Sequence, residues 1–190
     1  MRLFVALDVP DAWRDIARDI TTAITQSTRV PMRAVDPALM HITLRFLGEV
    51  EDGRVGELRE SLTGHVGPVE IALALGQPST FGTPVRTSVV SLRIEGDLDV
   101  LRALAHRVEL AVRLVGLPPR DGRFSPHLTL ARLSRETGPD ERRTVAETVR
   151  ALPPPPALPH VAREVVLVRS VLGGRRPTYA VIGRFTSTRT

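Results

Sequence analysis

The chain has 190 residues, 42% of them apolar and 25% charged, which excludes wholesale disorder and bounds the fold to one domain or two small lobes sharing a core. It has no cysteine, so disulfides, thiolate chemistry and cysteine-based zinc sites are excluded, and no apolar run fits a bilayer span or a secretion signal; a soluble cytoplasmic protein is expected. The net charge of +5 is carried by Arg alone, without Lys, and is uneven: residues 1–119 hold 13 Arg against 15 acids, residues 120–190 hold 13 against 6, a positive half suited to a phosphate-bearing ligand, with solvated surface charge as the plain alternative.

Taken in chain order, Arg2–Asp8 (RLFVALD) reads as a short buried strand, an apolar run bounded by polar residues. Asp8 and Pro10–Asp11 then open a helix whose Trp13, Ile16, Ala17, Ile20 and Ile24 recur at helical spacing. Val30–Pro37 is a turn or short strand, and Met40–Leu47 is a strand. Val55, Leu58, Leu62 and Val66 stripe a second helix ended by Gly64 and Gly67. Two strands follow, Glu70–Leu75 and Thr87–Ile94, and then a third helix from Leu98 to Val115 with Leu101, Ala105, Val108 and Val112 on one side. Gly116–Arg123 turns into a strand at Pro126–Leu133, followed by a very polar helix at Asp140–Leu152. Pro153–Pro156 is a rigid polyproline connector. Ala162–Leu172 and Thr178–Phe185 close the chain as a hairpin about Gly173–Gly174. Strands and helices mix without strict βα alternation, which predicts an α+β fold.

One seven-residue segment occurs twice. His41-Ile-Thr-Leu-Arg-Phe-Leu47 and His127-Leu-Thr-Leu-Ala-Arg-Leu133 agree at four positions, each on a predicted strand with a helix following. For two of five His to carry x-Thr-Leu by accident is on the order of one in a thousand. A duplicated strand–helix unit suggests two related lobes. Side chains two apart on a strand share a face and stand about 6.6 Å apart, so His41 projects with Thr43 and His127 with Thr129. With the lobes opposed, two imidazoles and two hydroxyls meet in a cleft. That set fits phosphoryl chemistry without a metal. One imidazole takes a proton from the attacking oxygen and the other gives one to the departing oxygen, while hydroxyls donate to the phosphate.

HITL at His41–Leu44 and HLTL at His127–Leu130 resemble the paired motifs of the two-histidine (2H) phosphoesterases. More narrowly, the chain is similar to the RNA 2′,3′-cyclic phosphodiesterases, historically called 2′–5′ RNA ligases. The likeness runs through the opening RLFVALDVP, the extended HITLRFLGEV, the segment FSPHLTLAR at Phe124–Arg132, and a closing EVVLVRS with Tyr179 beyond it. The resemblance implies an α+β fold of two pseudo-symmetric lobes of antiparallel sheet plus helices around a central groove, one bilobed domain over residues 1–190. It implies hydrolysis of an RNA or nucleotide 2′,3′-cyclic phosphate end to a 2′-phosphomonoester, with no metal, no cofactor, no membrane and a monomeric chain. His41 then matches the proton donor and His127 the proton acceptor, Thr43 and Thr129 hold the phosphate, and Arg132 contacts the nucleotide. The alternatives are 2′–5′ RNA ligation, another cyclic phosphate substrate, or a nucleotide- or RNA-binding module without turnover.

Strict alternation puts Arg132 on the face opposite His127, so it reaches the groove only if the strand bulges first. Phe46, its counterpart in the first copy, reads as a core residue. With 4% aromatic residues, base stacking is expected to be sparse. His65, His106 and His160 read as surface or capping residues. Gly173–Gly174 with Arg175 and Arg176 reads as a hairpin turn with solvated charges before it reads as a phosphate cradle. A zinc site on His41 and His127 lacks a third ligand at suitable spacing.

Overall fold

A computed structural model describes residues 1–171 and 177–186. The strands are β1 (Arg2–Asp8), β2 (Met32–Ala34), β3 (His41–Glu49), β4 (Ile71–Phe81), β5 (Val89–Gly96), β6 (His127–Leu133), β7 (His160–Ala162), β8 (Glu164–Val171) and β9 (Thr178–Thr186). The helices are α1 (Asp11–Thr28), α2 (Val55–Val66), α3 (Leu98–Leu114) and α4 (Pro139–Ala151). One antiparallel sheet runs β7-β4-β5-β6-β3-β1-β8-β9, with β2 alongside β6. Its halves are joined at the centre by β3 and β6, whose pairing is confined to Ile42↔Leu128. Helices α2 and α3 pack together over the β3 half, and α1 and α4 over the β6 half. The α+β fold of two pseudo-symmetric lobes follows. Since α1 leaves β1 in one lobe to pack against the other, and α3 does the reverse from β5, the lobes share one continuous core through Leu7, Trp13, Ile42, Leu104 and Leu128.

Several expectations are revised. Gly64 lies inside α2, and the helix stops only at Gly67, whose φ of 64° most side chains avoid. Strand β4 extends to Phe81, passing Pro78 at a register shift where the ladder is already interrupted and a missing N–H costs nothing. Its partner β5 starts two residues later than expected, after a helical turn at Pro84–Arg86. The single strand expected over Ala162–Leu172 is two: β7 pairs with β4, β8 pairs with β1, and Arg163 alone separates them. The sheet must therefore curl until its β4 edge lies near β8. His160 is half-buried in β7, its ring edge-on to Trp13 at 5.7 Å, and so is a packing residue; the indole N–H of Trp13 donates to Leu158 O at 2.9 Å. The expected turn at Gly173–Gly174, with Arg175 and Arg176, lies outside the described residues. No helix among the described residues is long and apolar enough to cross a membrane.

Candidate active site

The two copies of the repeat meet at equivalent residues. Ile42 and Leu128 occupy the same place in the motif, 86 positions apart, and it is these two that pair across β3 and β6. Both are buried, so a pseudo-twofold axis passes through the sheet at the core side chains. On the opposite face this register sets His41 beside Thr129 and Thr43 beside His127. The two His then stand on the diagonal, as neighbours on the order of 7–8 Å apart with their Cβ atoms somewhat closer. All four line one cavity of about 500 Å³, open to solvent between the lobes.

Each motif strand then bulges at the same step. In β3 the register against β1 skips Leu44, passing from Thr43↔Ala6 to Arg45↔Val5; in β6 the register against β5 skips Leu130, from Thr129↔Ser91 to Ala131↔Val90. The extra residue reverses the alternation. Leu44 and Arg45 both point inward, as do Leu130 and Ala131, and the next residue of each strand returns to the groove. Arg132 therefore shares the cavity with His127 after all. Phe46, expected in the core, is 52% exposed and lines the same cavity, its ring 5.9 Å from Phe4.

The bulge in β3 is fastened from behind. Inward-facing Arg45 pairs with Glu109 of α3 at 2.7 Å and donates to the carbonyls of Phe46 and Pro118. Arg120 donates to Leu44 O, and its backbone N–H donates to the same Glu109. Arg120 also lies over the Phe124 ring at 5.0 Å, in the segment that leads into His127. One partly buried carboxylate thus links the first bulge to the approach of the second motif. In the other lobe Ala131 holds no charge, and the backbone of β2 pairs across Ala131–Leu133 instead.

The imidazoles are held alike. Nδ1 of His41 lies 2.8 Å from Leu39 O, and Nδ1 of His127 lies 2.8 Å from Ser125 O, two residues upstream in each case. A carbonyl only accepts, so Nδ1 carries hydrogen and Nε2 is left as the exchanging nitrogen. His41 stacks on Phe4 with centroids 4.5 Å apart and meets Tyr179 edge-on at 5.7 Å; His127 tilts against Phe81 at 4.6 Å. Burial pushes the His41 pKa below 6.5, helped by the charges of His127 and Arg132 and opposed by the Leu39 bond and Asp8. Burial also lowers His127, again with Arg132 and against its Ser125 bond. Each free ring is thus biased to neutrality, a bias that an anion in the groove would reverse.

Residue-by-residue reading missed Arg2, Arg33, Phe4 and Ser170, which line the cavity from strands outside the motifs. Their signal is non-local: Arg33 pairs with Arg132 across β2 and β6, and Arg2 with Ser170 across β1 and β8. Three of the chain's seven aromatic residues, Phe4, Phe46 and Tyr179, gather here, so scarcity overall conceals concentration locally. Among the described residues no three of His, Asp and Glu are grouped so as to hold a metal ion.

The model of the 2′-5′ RNA ligase superfamily matches residues 8–173. An RNA 2′,3′-cyclic phosphodiesterase of Archaeoglobus fulgidus is 31% identical over 94% of this chain and 96% of its own length. One of Thermus thermophilus is 31% identical over 98% and 90%. The match to the Aeropyrum pernix protein of that name, at 35% identity, covers 56% of this chain and 60% of that protein. Among solved structures, TT0787 of Thermus thermophilus has a TM-score of 0.78 at 24% identity, each chain fully covered. Escherichia coli LigT complexed with 3′-AMP has a TM-score of 0.76 at 25% identity over 99% of this chain and 98% of that one.

Proposed function

The chain belongs to the 2′-5′ RNA ligase superfamily, and on that premise we propose that it hydrolyses the 2′,3′-cyclic phosphate of an RNA or nucleotide end to a 2′-phosphomonoester. One observation carries the reading: two His-x-Thr faces, related by a pseudo-twofold axis, open on one cavity with both Nδ1 atoms tied to backbone. In the proposed step, neutral His127 accepts a proton from water at Nε2 as the water oxygen bonds to phosphorus. The P–O3′ bond breaks, and protonated His41 delivers its Nε2 proton to O3′. Thr43 and Thr129 donate to the non-bridging oxygens, and the Arg132 guanidinium offsets their charge. Acid and base on opposite lobes suit an in-line displacement. The names of the relatives support the substrate class, and the nucleotide carried by the Escherichia coli neighbour supports a nucleotide in the groove.

The chain is proposed to act as a monomer, one bilobed domain over residues 1–190, in the cytoplasm and without a metal or other cofactor. A second reading is favoured by the superfamily description itself: a ribose 5′-hydroxyl takes the place of water as the attacking oxygen, giving its proton to His127 as it bonds to phosphorus, the P–O3′ bond breaks with His41 protonating O3′, and the centre joins a 2′–5′ linkage. The test is incubation with each 2′,3′-cyclic nucleotide in EDTA, followed by identification of the phosphate isomer. The 2′-phosphate is expected. A 3′-phosphate, or activity that vanishes in EDTA and returns with added metal, would overturn the proposal.

A further inference from the structure

The groove holds more cationic groups than one cyclic phosphate uses. Such a phosphate has two non-bridging oxygens, and two Thr hydroxyls with one two-pronged guanidinium already offer about four donors to them. Arg2 and Arg33 line the same cavity and remain over. Arg33 is the direct cross-strand partner of Arg132, which places two like charges side by side on one face. On the other lobe Arg2, Ser170 and Tyr179 form a row across three strands, Arg2↔Ser170 and Ser170↔Tyr179. The Tyr179 phenol lies within the fields of Arg132, Arg2 and Arg33 together, while burial as the largest influence raises its pKa. None of the three arginines forms an ion pair with a described residue. Elsewhere the chain matches its arginines to carboxylates readily, as with Arg14 and Asp8 or Arg163 and Glu70. Asp36 is the one carboxylate among the described residues of this lining, so three guanidiniums without an ion pair to a described residue still leave the cavity with a surplus of positive charge for an anion to offset.

Resting on the reading that the His-x-Thr pair acts on a cyclic phosphate, we propose that Arg33 and Arg2, with the Tyr179 hydroxyl, bind a second phosphate: the phosphodiester on the 5′ side of the terminal nucleotide. The preferred substrate is then an oligonucleotide end, and a cyclic mononucleotide fills only half of the groove's charge. Arg132, beside Arg33 and acting on both imidazoles, lies between the two phosphates. Recognition of this kind reads backbone charge and chain length and leaves base identity unread.

The experiment compares a 2′,3′-cyclic mononucleotide with a dinucleotide ending in the same cyclic phosphate. For each, kcat/KM is measured between 50 and 200 mM salt (about the range over which such contacts weaken visibly) with wild type, R33Q and R2Q. Wild type is expected to prefer the dinucleotide about tenfold, with a log–log salt slope steeper by about 0.7 for the added phosphate contact. R33Q should lose most of that preference and most of the slope difference, with R2Q in the same direction. The wild-type slopes need no variant, so a misfolded R33Q does not remove the test. Equal slopes for the two substrates, or a preference ratio unchanged in both variants, would overturn the second site alone. A wild type that turns over neither substrate would overturn the parent reading and this one with it.

Discussion

Because a backbone carbonyl holds Nδ1 of each imidazole, proton exchange in the groove falls to the two Nε2 atoms. His41→Ala and His127→Ala should each lower kcat by about 10²–10⁴, the usual worth of a general acid or base. Near-wild-type turnover by either variant would count against the assignment. The pH dependence follows from burial, which lowers both rings below 6.5 in the free protein. Under the proposed function catalysis needs one ring charged and one neutral, so kcat/KM should trace a bell whose summit lies below pH 6.5, its two limbs belonging to the coupled pair. An anionic substrate stabilises imidazolium, so the summit for kcat should lie higher. A kcat/KM summit above pH 7 would contradict the burial argument. The His-x-Thr faces were legible at this scale because they rest on local alternation alone. Arg2 and Arg33 were not, because strand order brings them to the groove.

At the scale of the element, the two bulges decide which residues enter the site. Alternation read one residue at a time sends Arg132 away and Phe46 inward, and it fails at both positions for one reason: Leu44 and Leu130 each add a step to their strands. The repeat itself held the signal, since Phe46 and Arg132 are aligned in the two copies and must share a face if the copies share a fold. The break at Arg163 left no such trace, because sheet curvature and not composition separates β7 from β8. The β3 bulge depends on the Arg45–Glu109 pair, whose side chains are 9% and 16% exposed. Glu109→Gln leaves Arg45 buried without its counter-charge and should cost about 3 kcal/mol. For a chain of this size that is a fall in Tm of roughly 6–12 °C, measurable by calorimetry. An unchanged Tm would mean the carbonyls of Phe46 and Pro118 suffice to hold the guanidinium.

For the whole molecule, the sheet supplies a rigid frame and the groove carries a surplus of positive charge. An anion bound there stabilises the fold by mass action. Inorganic phosphate should therefore raise Tm, and more strongly near pH 6 than near pH 8. The sign follows from burial: with both His pKa values lowered by folding, stability is lost as pH falls below 6.5, and a bound anion restores it by favouring the charged rings. A phosphate effect that is equal at both pH values would indicate binding away from the imidazoles. The two-lobed architecture follows from duplication, which is visible in the sequence, whereas the exchange of α1 and α3 between lobes is a property of the packed molecule.

Under the proposed function, two imidazoles, one from each lobe, serve a single reaction at one phosphorus. Single-turnover hydrolysis of a 2′,3′-cyclic nucleotide by H41A, H127A and the H41A/H127A double variant tests this most directly. Groups that work as a unit are lost together, so the double variant should be slower than either single variant by less than about tenfold. Losses that multiply, each His removing its full factor independently of the other, would contradict the shared centre.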